Sequence, residues 1–238
     1  MNEVRGAVEQ LGVLVVGKAG ADARGLVSAL SRNPNVEYAE LDYIAQALFI
    51  PNDPYWSYQW GPVKVKAPEA WDVTMGSSSV MIAVVDTGVD LDHPDLATKI
   101  RTDIDYDFYN NDSNADDDNG HGTHVAGIAA AITNNSTGIA GMAPNVKILP
   151  VKVLSSSGSG SYSQVANGIT YAADKGAHVI NLSLGGSVGS TTLKNAVEYA
   201  WNKGVVVVAA AGNNGTSARV YPAYYSVCIA VSATDQND

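Results

Sequence analysis

Residues 119–127 read Asn-Gly-His-Gly-Thr-His-Val-Ala-Gly, and from this glycine-rich turn the chain runs directly into the apolar stretch 125–132. The pattern predicts a loop that opens a buried helix, in which small residues let a neighbouring sheet approach closely. A histidine at such a helix start is held by a rigid element and has a side chain that titrates near neutral pH. His121 is therefore the first candidate for acid–base chemistry.

Metal binding is the alternative for this histidine. His121 and His124 are three residues apart, but a zinc site needs a third protein ligand. The rest of the chain offers only His93, His178 and one cysteine. This poor ligand set disfavours zinc, and the catalytic interpretation then requires a partner carboxylate on another element.

That carboxylate is predicted upstream, at Asp86. Residues 80–85 form a continuous apolar run, typical of a strand buried on both faces, and the run ends in Asp86-Thr87-Gly88. Open α/β sheets place their sites at the carboxyl ends of parallel strands. Aspartic proteases use the same three residues, but they need two such carboxylates sharing a proton. Because the chain has no second Asp-Thr-Gly or Asp-Ser-Gly, that class is discounted.

The wider hydrophobic pattern alternates strands with helices. Apolar runs typical of strands occupy 80–85, 146–154, 178–184, 205–211 and 228–231. Segments with helical character are 121–132, 162–175 and 192–203. Gly176 and Gly204 stand where helix C-caps are expected. This order predicts an α/β fold with a doubly wound parallel sheet and right-handed crossovers.

Composition limits the partners. The 238-residue chain is 46% apolar and carries a formal net charge of −10, which disfavours nucleic acid and anionic membranes. Cys228 is the only cysteine, so no internal disulfide is expected, and its apolar surroundings predict a buried, inert thiol. No stretch is long and apolar enough to span a bilayer. Residues 1–5 lead into no secretory signal, so the chain is expected to be intracellular or to lack its native N-terminus.

Three motifs occur in a fixed order: Asp86-Thr87-Gly88-Val89, His121-Gly122-Thr123-His124-Val125-Ala126-Gly127 and Ala210-Ala211-Gly212-Asn213. Together they resemble the subtilisin-like serine proteases (subtilases), and the resemblance extends from about Pro51 to the last residue. It implies a serine endopeptidase that cuts polypeptides with a triad in the chain order Asp, His, Ser. In this family Asp86 would orient the imidazole, His121 would act as general base and acid, and Asn213 would donate to the oxyanion.

The nucleophile of this family lies in Gly-Thr-Ser-Met-Ala, at a helix start far beyond the oxyanion asparagine. Residues 215–218, Gly-Thr-Ser-Ala, imitate that motif, but Ser217 is only four residues beyond Asn213 and Pro222 prevents a following helix. Residues 221–226 also match the family in their own register. We therefore expect a part of the catalytic domain without its serine, inactive alone. The alternative is a catalytically inactive peptide-binding module of the same fold.

The resemblance also implies the substrate-binding residues. Two segments are expected to pair with an extended peptide, the backbone giving affinity and the pockets giving specificity: Gly158, Ser159, Gly160 and Ser183, Leu184, Gly185. For the first segment a flexible loop is the alternative. Ala210, Ala211 and Gly212 are expected to wall the S1 pocket.

Calcium is the cofactor that the resemblance implies, because this hard cation takes several oxygens from carboxylates, amides and carbonyls. One site is expected from two upstream carboxylates and the loop 132–139, with the ligands Asp53, Asp95, Ile132, Asn135, Thr137 and Ile139. A second site is expected at Asp107, Asn110, Asp112 and Asp116. For the neighbouring acidic run 116–118, a solvated loop is the alternative.

Residues 1–48 are predicted to form a small α+β unit, followed by the catalytic part at 49–238. A strand is expected at 11–16, a helix at 22–30 capped by Asp22, and a strand at 36–43. Residues 35–40 resemble the carboxyl half of a subtilase propeptide, whose earlier strand and helix are not expected here. The resemblance implies processing near Leu48-Phe49, secretion, the propeptide as a partner, and a monomer when complete. An unrelated N-terminal extension is the alternative.

Overall fold

Two units make up the chain, Met1–Ala47 and Leu48–Asp238, in a computed structural model that describes residues 3–17, 20, 22–44 and 49–237. The predicted domain boundary between residues 48 and 49 borders a segment outside this description. Leu48, one side of the predicted processing point, lies outside it as well.

The first unit contains a hairpin and one helix. Strand β1 (Glu3–Val8) pairs antiparallel with β2 (Val13–Gly17), and α1 (Ala23–Leu30) begins after Asp22. The Asp22 carboxylate accepts hydrogen bonds from the first-turn N–H groups, as predicted for a cap. None of the described residues of this unit is buried, which fits its small size.

One expectation for the first unit is wrong. The strand predicted at 36–43 is irregular chain instead, and β1 lies in a segment for which no strand is predicted. Alternating apolar residues mark a segment that is able to join a sheet. A strand forms only where a neighbouring strand accepts its hydrogen bonds, and in this unit β1 and β2 bond to each other.

Six strands of the second unit form one sheet: β3 (Met81–Asp86), β4 (Tyr106–Asp107), β5 (Lys147–Lys152), β6 (Val179–Leu182), β7 (Val206–Ala210) and β8 (Ile229–Val231). The order across the sheet is β4-β5-β3-β6-β7-β8, and every neighbouring pair is parallel. The helices of this unit are α2 (Trp60–Lys64), α3 (Ala67–Trp71), α4 (His121–Ala130), α5 (Tyr162–Asp174) and α6 (Thr191–Asn202). The predicted α/β fold with a parallel sheet is confirmed.

Helices cover both faces of this sheet. Along β3, Ala83 and Val85 pack into the core shared with α5 and α6, whereas Val84 packs into a second core with Ala126 of α4. Successive residues of a strand point to opposite faces, so a continuous apolar run can serve two cores. The predicted doubly wound arrangement is confirmed. None of the helices in the described part of the chain has the length and apolar character needed to cross a membrane.

The helix ends follow the sequence signals closely. Ser161 and Gln164 form a reciprocal capping box at the start of α5. After α5 and α6, Gly176 and Gly204 adopt positive φ values of 81° and 82°, the left-handed conformation that ends a helix. The short helices α2 and α3 lie in a segment for which no element is predicted. Beside them, Trp56, Trp71 and Phe49 pack as an aromatic cluster.

Candidate active site

Asp86 is the last residue of β3 and is fully buried. Its Oδ1 accepts a hydrogen bond from the backbone N–H of Thr87 at 2.7 Å and lies 2.7 Å from Nδ1 of His121. Burial raises the pKa of the Asp86 carboxyl, while the contact with His121 and the Thr87 N–H pull it down. Oδ2 is buried and has no hydrogen-bond partner among the described residues.

His121 is the first residue of α4, and its side chain is 48% exposed. A carboxylate oxygen can only accept, so an ionised Asp86 places the imidazole proton on Nδ1. Nε2 then carries the lone pair, and this nitrogen makes no hydrogen bond to the described residues. The structure thus brings together the predicted acid–base pair across 35 residues of sequence.

Acceptors outside the helix hold the first turn of α4 in place. The N–H of His121 donates to Oδ1 of Asn119 at 3.1 Å, and the N–H of Gly122 donates to Oγ1 of Thr87 at 2.9 Å. The N–H of Thr123 donates to Oδ2 of Asp117 at 2.9 Å. These groups satisfy donors that a helix start otherwise leaves unpaired. One of the acceptors, Thr87, directly follows Asp86, so capping also docks the histidine beside the aspartate.

A cleft of about 430 Å³ opens beside His121. It gathers both predicted peptide-binding segments: Gly158, Ser159, Gly160 and Ser183, Leu184, Gly185. Sequence reasoning missed its other lining residues: Thr87, Asn119, Leu154, Tyr162 and Val165. Glycine is required at position 160, because a Cβ there would overlap the carbonyl oxygen of Val153. The hydroxyl of the lining residue Tyr162 donates to the carbonyl of Val188 at 2.8 Å.

The residues after β7 occupy a different place. Ala210, Ala211 and Gly212 lie at the carboxyl end of β7, outside the lining described for this cleft. Asn213 follows in an exposed bend, so its oxyanion role stays a prediction. Ser217 is also exposed, and no serine hydroxyl in the described residues is hydrogen-bonded to the His121 ring. The rejection of Ser217 as nucleophile stays a prediction.

The residues expected to hold the first calcium ion are assembled around Asp95, which is 1% exposed. Its Oδ1 accepts from Nδ2 of Asn135 at 2.7 Å and its Oδ2 from the N–H of Ile139 at 3.1 Å. Its carbonyl accepts from the N–H of Ile132 at 3.0 Å. The N–H of Thr137 donates to Oδ1 of Asn135, which closes the loop.

Asp53 carries the observation that tests this site. The side chain is 4% exposed, and its Oδ2 accepts from the N–H of Asn134 at 2.7 Å. Its Oδ1 is buried with no hydrogen-bond partner among the described residues. An orphaned carboxylate oxygen beside a carbonyl-rich loop fits a hard cation, because such ions bind oxygen ligands and offset the cost of a buried charge.

The second expected calcium site is assembled less completely. Oδ2 of Asp107 accepts from Nδ2 of Asn110 at 2.8 Å, and Asp107 and Asp112 exchange backbone hydrogen bonds. Asp116 accepts instead from the N–H of Leu91 at 3.2 Å. The part of the chain that the structure describes contains no group of three or more His, Cys, Asp or Glu side chains suited to a metal. This finding covers the residues of both expected calcium sites, and the second site stays a prediction.

Lys152 is a buried lysine near the site that was not predicted from the sequence. Lys152 is 1% exposed and lies opposite Asp86 in the β3–β5 register. Its Nζ donates to the carbonyl of Thr87 at 2.5 Å and to Oδ1 of Asp118 at 2.6 Å. The available signal was a lone lysine within the apolar run 148–154. Such a residue is retained only if it finds partners, because an unpaired buried charge is costly.

Known proteins resemble this chain over most of its length. Residues 77–238 match the profile of the subtilase family. Thermitase of Thermoactinomyces vulgaris is 63% identical over 191 residues, which cover 80% of this chain and 67% of thermitase. The thermophilic serine proteinase of Bacillus sp. (strain AK1) is 58% identical over 227 residues, which cover 95% of this chain and 55% of that protein. The chain thus spans about half to two thirds of these relatives.

Solved structures agree with the fold. A protease from Pseudoalteromonas arctica PAMC 21717 superposes with a TM-score of 0.72 at 36% identity, covering 79% of this chain and 66% of that one. Sphericase superposes with a TM-score of 0.61 at 41% identity, covering 65% of this chain and 53% of its own. With the profile match and the identities to serine proteases, this shared architecture establishes that the chain belongs to the subtilase family.

Proposed function

We propose that this chain is the Asp- and His-bearing part of a secreted serine endopeptidase, whose nucleophilic serine lies in a further segment. The single observation that carries the proposal is the 2.7 Å contact between His121 Nδ1 and Oδ1 of buried Asp86, beside a glycine- and serine-lined cleft. Subtilase membership supports the choice of reaction.

The pair would act by proton transfer. Asp86 holds Nδ1–H and stabilises the imidazolium, which leaves Nε2 of His121 to take the hydroxyl proton of the nucleophile and return it to the leaving amine. Hydrogen bonds from His121 and Thr87 oppose the effect of burial on the pKa of Asp86 and so favour the ionised form that this role needs. Asn213 is the proposed donor to the oxyanion, an interaction that strengthens as negative charge develops.

The substrate would be an extended polypeptide. Residues 158–160 and 183–185 line the same cleft as His121, with small residues that let a peptide backbone approach. Edge-on pairing with such a backbone supplies affinity without sequence selectivity. Ala210, Ala211 and Gly212 are proposed to wall the S1 pocket, on the family resemblance alone.

Calcium is the proposed cofactor, and the first site carries the proposal. Asp53, Asp95, Asn135 and the carbonyls of Ile132, Thr137 and Ile139 would hold it, and the orphaned Oδ1 of Asp53 supports that choice. The ion would supply no chemistry to the reaction. It would fasten residues 52–59 to the loop 132–140, which already share hydrogen bonds such as Gln59 Nε2 to the Ala140 carbonyl at 2.8 Å.

The first unit is proposed to be a propeptide partner of the catalytic part. The match to the AK1 proteinase covers 95% of this chain and therefore extends into Met1–Ala47. A unit with no buried residue among those described has little stability of its own. Cleavage near Leu48-Phe49 is expected, and mass analysis of the secreted protein should find a new N-terminus there.

Intact-mass analysis after treatment with a fluorophosphonate probe, in calcium buffer, tests the proposal. We expect no adduct on the 238-residue chain and one adduct on the protein extended by its downstream reading frame. The adduct should disappear in a His121→Ala variant, because the serine then lacks its base. A Ser217→Ala variant is the matched control and should label like its parent.

Two results would contradict the proposal. An adduct on Ser217 would mean that the register after Asn213 is wrong. An extended protein that binds peptides but takes no adduct would favour the peptide-binding module, in which the fold is kept and the nucleophile is missing.

A further inference from the structure

We propose that Asp117 is a positioning residue, which sets His121 against Asp86 by tying the start of α4 to the end of β3. The inference rests on the proposed function, since it concerns the same proton-transfer pair. Asp117 lies in the acidic run 116–118, for which a solvated loop is the simpler interpretation. Its carboxylate is instead the centre of a hydrogen-bond network.

Five hydrogen bonds converge on this carboxylate. Oδ1 accepts from Oγ1 of Thr87 at 2.8 Å and from the N–H groups of Asn119 and Gly120, each at 3.0 Å. Oδ2 accepts from the N–H and Oγ1 of Thr123 at 2.9 and 2.6 Å. Bonds to a charged acceptor are stronger than neutral ones, so this group orders the whole loop. Its neighbour Asp118 bonds elsewhere, to Lys152.

The network acts on the pair through Thr87. The Thr87 hydroxyl donates its one proton to Asp117. Its oxygen is therefore oriented to accept a hydrogen bond from the N–H of Gly122, at 2.9 Å. Thr87 follows Asp86 in the chain, and Gly122 follows His121. The Asp117 carboxylate therefore orients the Thr87 hydroxyl, and this hydroxyl links the residue after Asp86 to the residue after His121.

The charge of Asp117 and its positioning of His121 have opposite effects on the pKa of Asp86, so an experiment can separate the two. Burial would raise the pKa of Asp117, but hydrogen bonds from Thr123, Gly120 and Asn119 outweigh it and keep the carboxyl ionised. The charge of Asp117 pushes the pKa of Asp86 up, whereas the His121 contact pulls it down. Removing only a charge should lower the Asp86 pKa, and losing the His121 contact should raise it.

An Asp117→Asn variant of the 238-residue chain separates these effects. The pKa of Asp86 is followed by carbon NMR of its labelled carboxyl, and the Asp86 contact by the downfield proton resonance of His121 Nδ1. We expect the pKa of Asp86 to rise and the resonance to be lost. A fall in that pKa with the resonance retained would overturn the inference, because Asp117 would then contribute charge alone.

A second pair of variants tests the same link without a change of charge, and it carries the test if Asp117→Asn does not fold. Thr87→Val removes the hydroxyl with almost no change of shape, and Thr87→Ser keeps it. We expect Thr87→Val to raise the pKa of Asp86 and to abolish the His121 Nδ1 resonance, and Thr87→Ser to retain that resonance. A Thr87→Val chain that keeps the resonance would refute the link.

Neither readout requires peptide cleavage. An intact pair in an extended protein that never cleaves peptides would therefore count against the proposed function and leave the role of Asp117 standing.

Discussion

Replacing Gly122 by alanine measures how closely α4 must approach β3. A Cβ at this position would overlap the carbonyl oxygen of Gly88 and lie 3.2 Å from Cβ of Asp86. The Gly88 backbone cannot move out of the way as a flexible side chain can, so overpacking should lower the free energy of unfolding by about 1–3 kcal/mol. Loss of the Gly122 N–H bond to Thr87 adds about 1 kcal/mol, and the better helix propensity of alanine offsets about 1 kcal/mol. The expected net loss is about 1–3 kcal/mol of the free energy of unfolding.

Gly127→Ala is the matched control in the same helix. Its Cβ would lie 3.5 Å from Cδ1 of Ile139, an ordinary contact, so we expect a gain of about 0.5–1 kcal/mol from helix propensity. Urea and thermal unfolding followed by circular dichroism measure both variants, with about 2–4 °C of Tm per kcal/mol. If Gly122→Ala were as stable as Gly127→Ala and kept the downfield Nδ1 resonance of His121, the close approach inferred here would be wrong.

Three further predictions concern calcium, pH and thiol reactivity. Calcium at about 100 times its Kd should stabilise the chain by about 2.7 kcal/mol in thermal unfolding, and Asp53→Asn, unlike the exposed control Asp72→Asn, should abolish the gain. Folding raises the pKa of Asp86 above its ordinary value of 3.8, so the folded state binds the proton more tightly than the unfolded state. The free energy of unfolding should therefore fall as pH rises from 3.8 through the pKa of the folded state. The urea midpoints of an Asp86→Asn variant should lack this fall. A variant whose midpoints follow the same pH profile as the parent chain would contradict the assignment of the fall to Asp86. Burial raises the pKa of half-buried Cys228 from 9.0 to about 11, so iodoacetamide should label the native chain about a hundredfold more slowly than the unfolded chain, and equal rates would exclude a protonated thiol.

Hydrophobic periodicity was sufficient for the central strands and the long helices. The strand predicted at 80–85 differs by one residue from Met81–Asp86 at each end. The strand predicted at 146–154 is too long, because apolarity does not specify hydrogen-bond partners. Val153 and Leu154 both donate their N–H groups to the carbonyl of Asp86, at 2.8 and 3.1 Å, and so leave the ladder.

The site was predictable where a motif carries chemistry and unpredictable where burial decides it. Asp86 and His121 follow from strand-end and helix-start patterns, and the structure places them in contact. Asp117 and Lys152 are charged residues that sequence reasoning assigns to solvent or overlooks, because each has a hydrogen-bond partner 30 or more residues away. A separation of that length leaves no local signal in the chain.

The capping of α4 has a consequence for the order of folding. Its first turn relies on an acceptor 35 residues upstream, the Thr87 hydroxyl, and isolated short helices nucleate poorly. We therefore expect α4 to form only after β3 has joined the sheet. Pulsed amide hydrogen exchange during refolding should then protect Gly122 later than β3, and earlier protection of Gly122 would contradict this order. His121 would then acquire its place late. A half-folded protease would lack its working base during the interval when its own backbone is most open to attack.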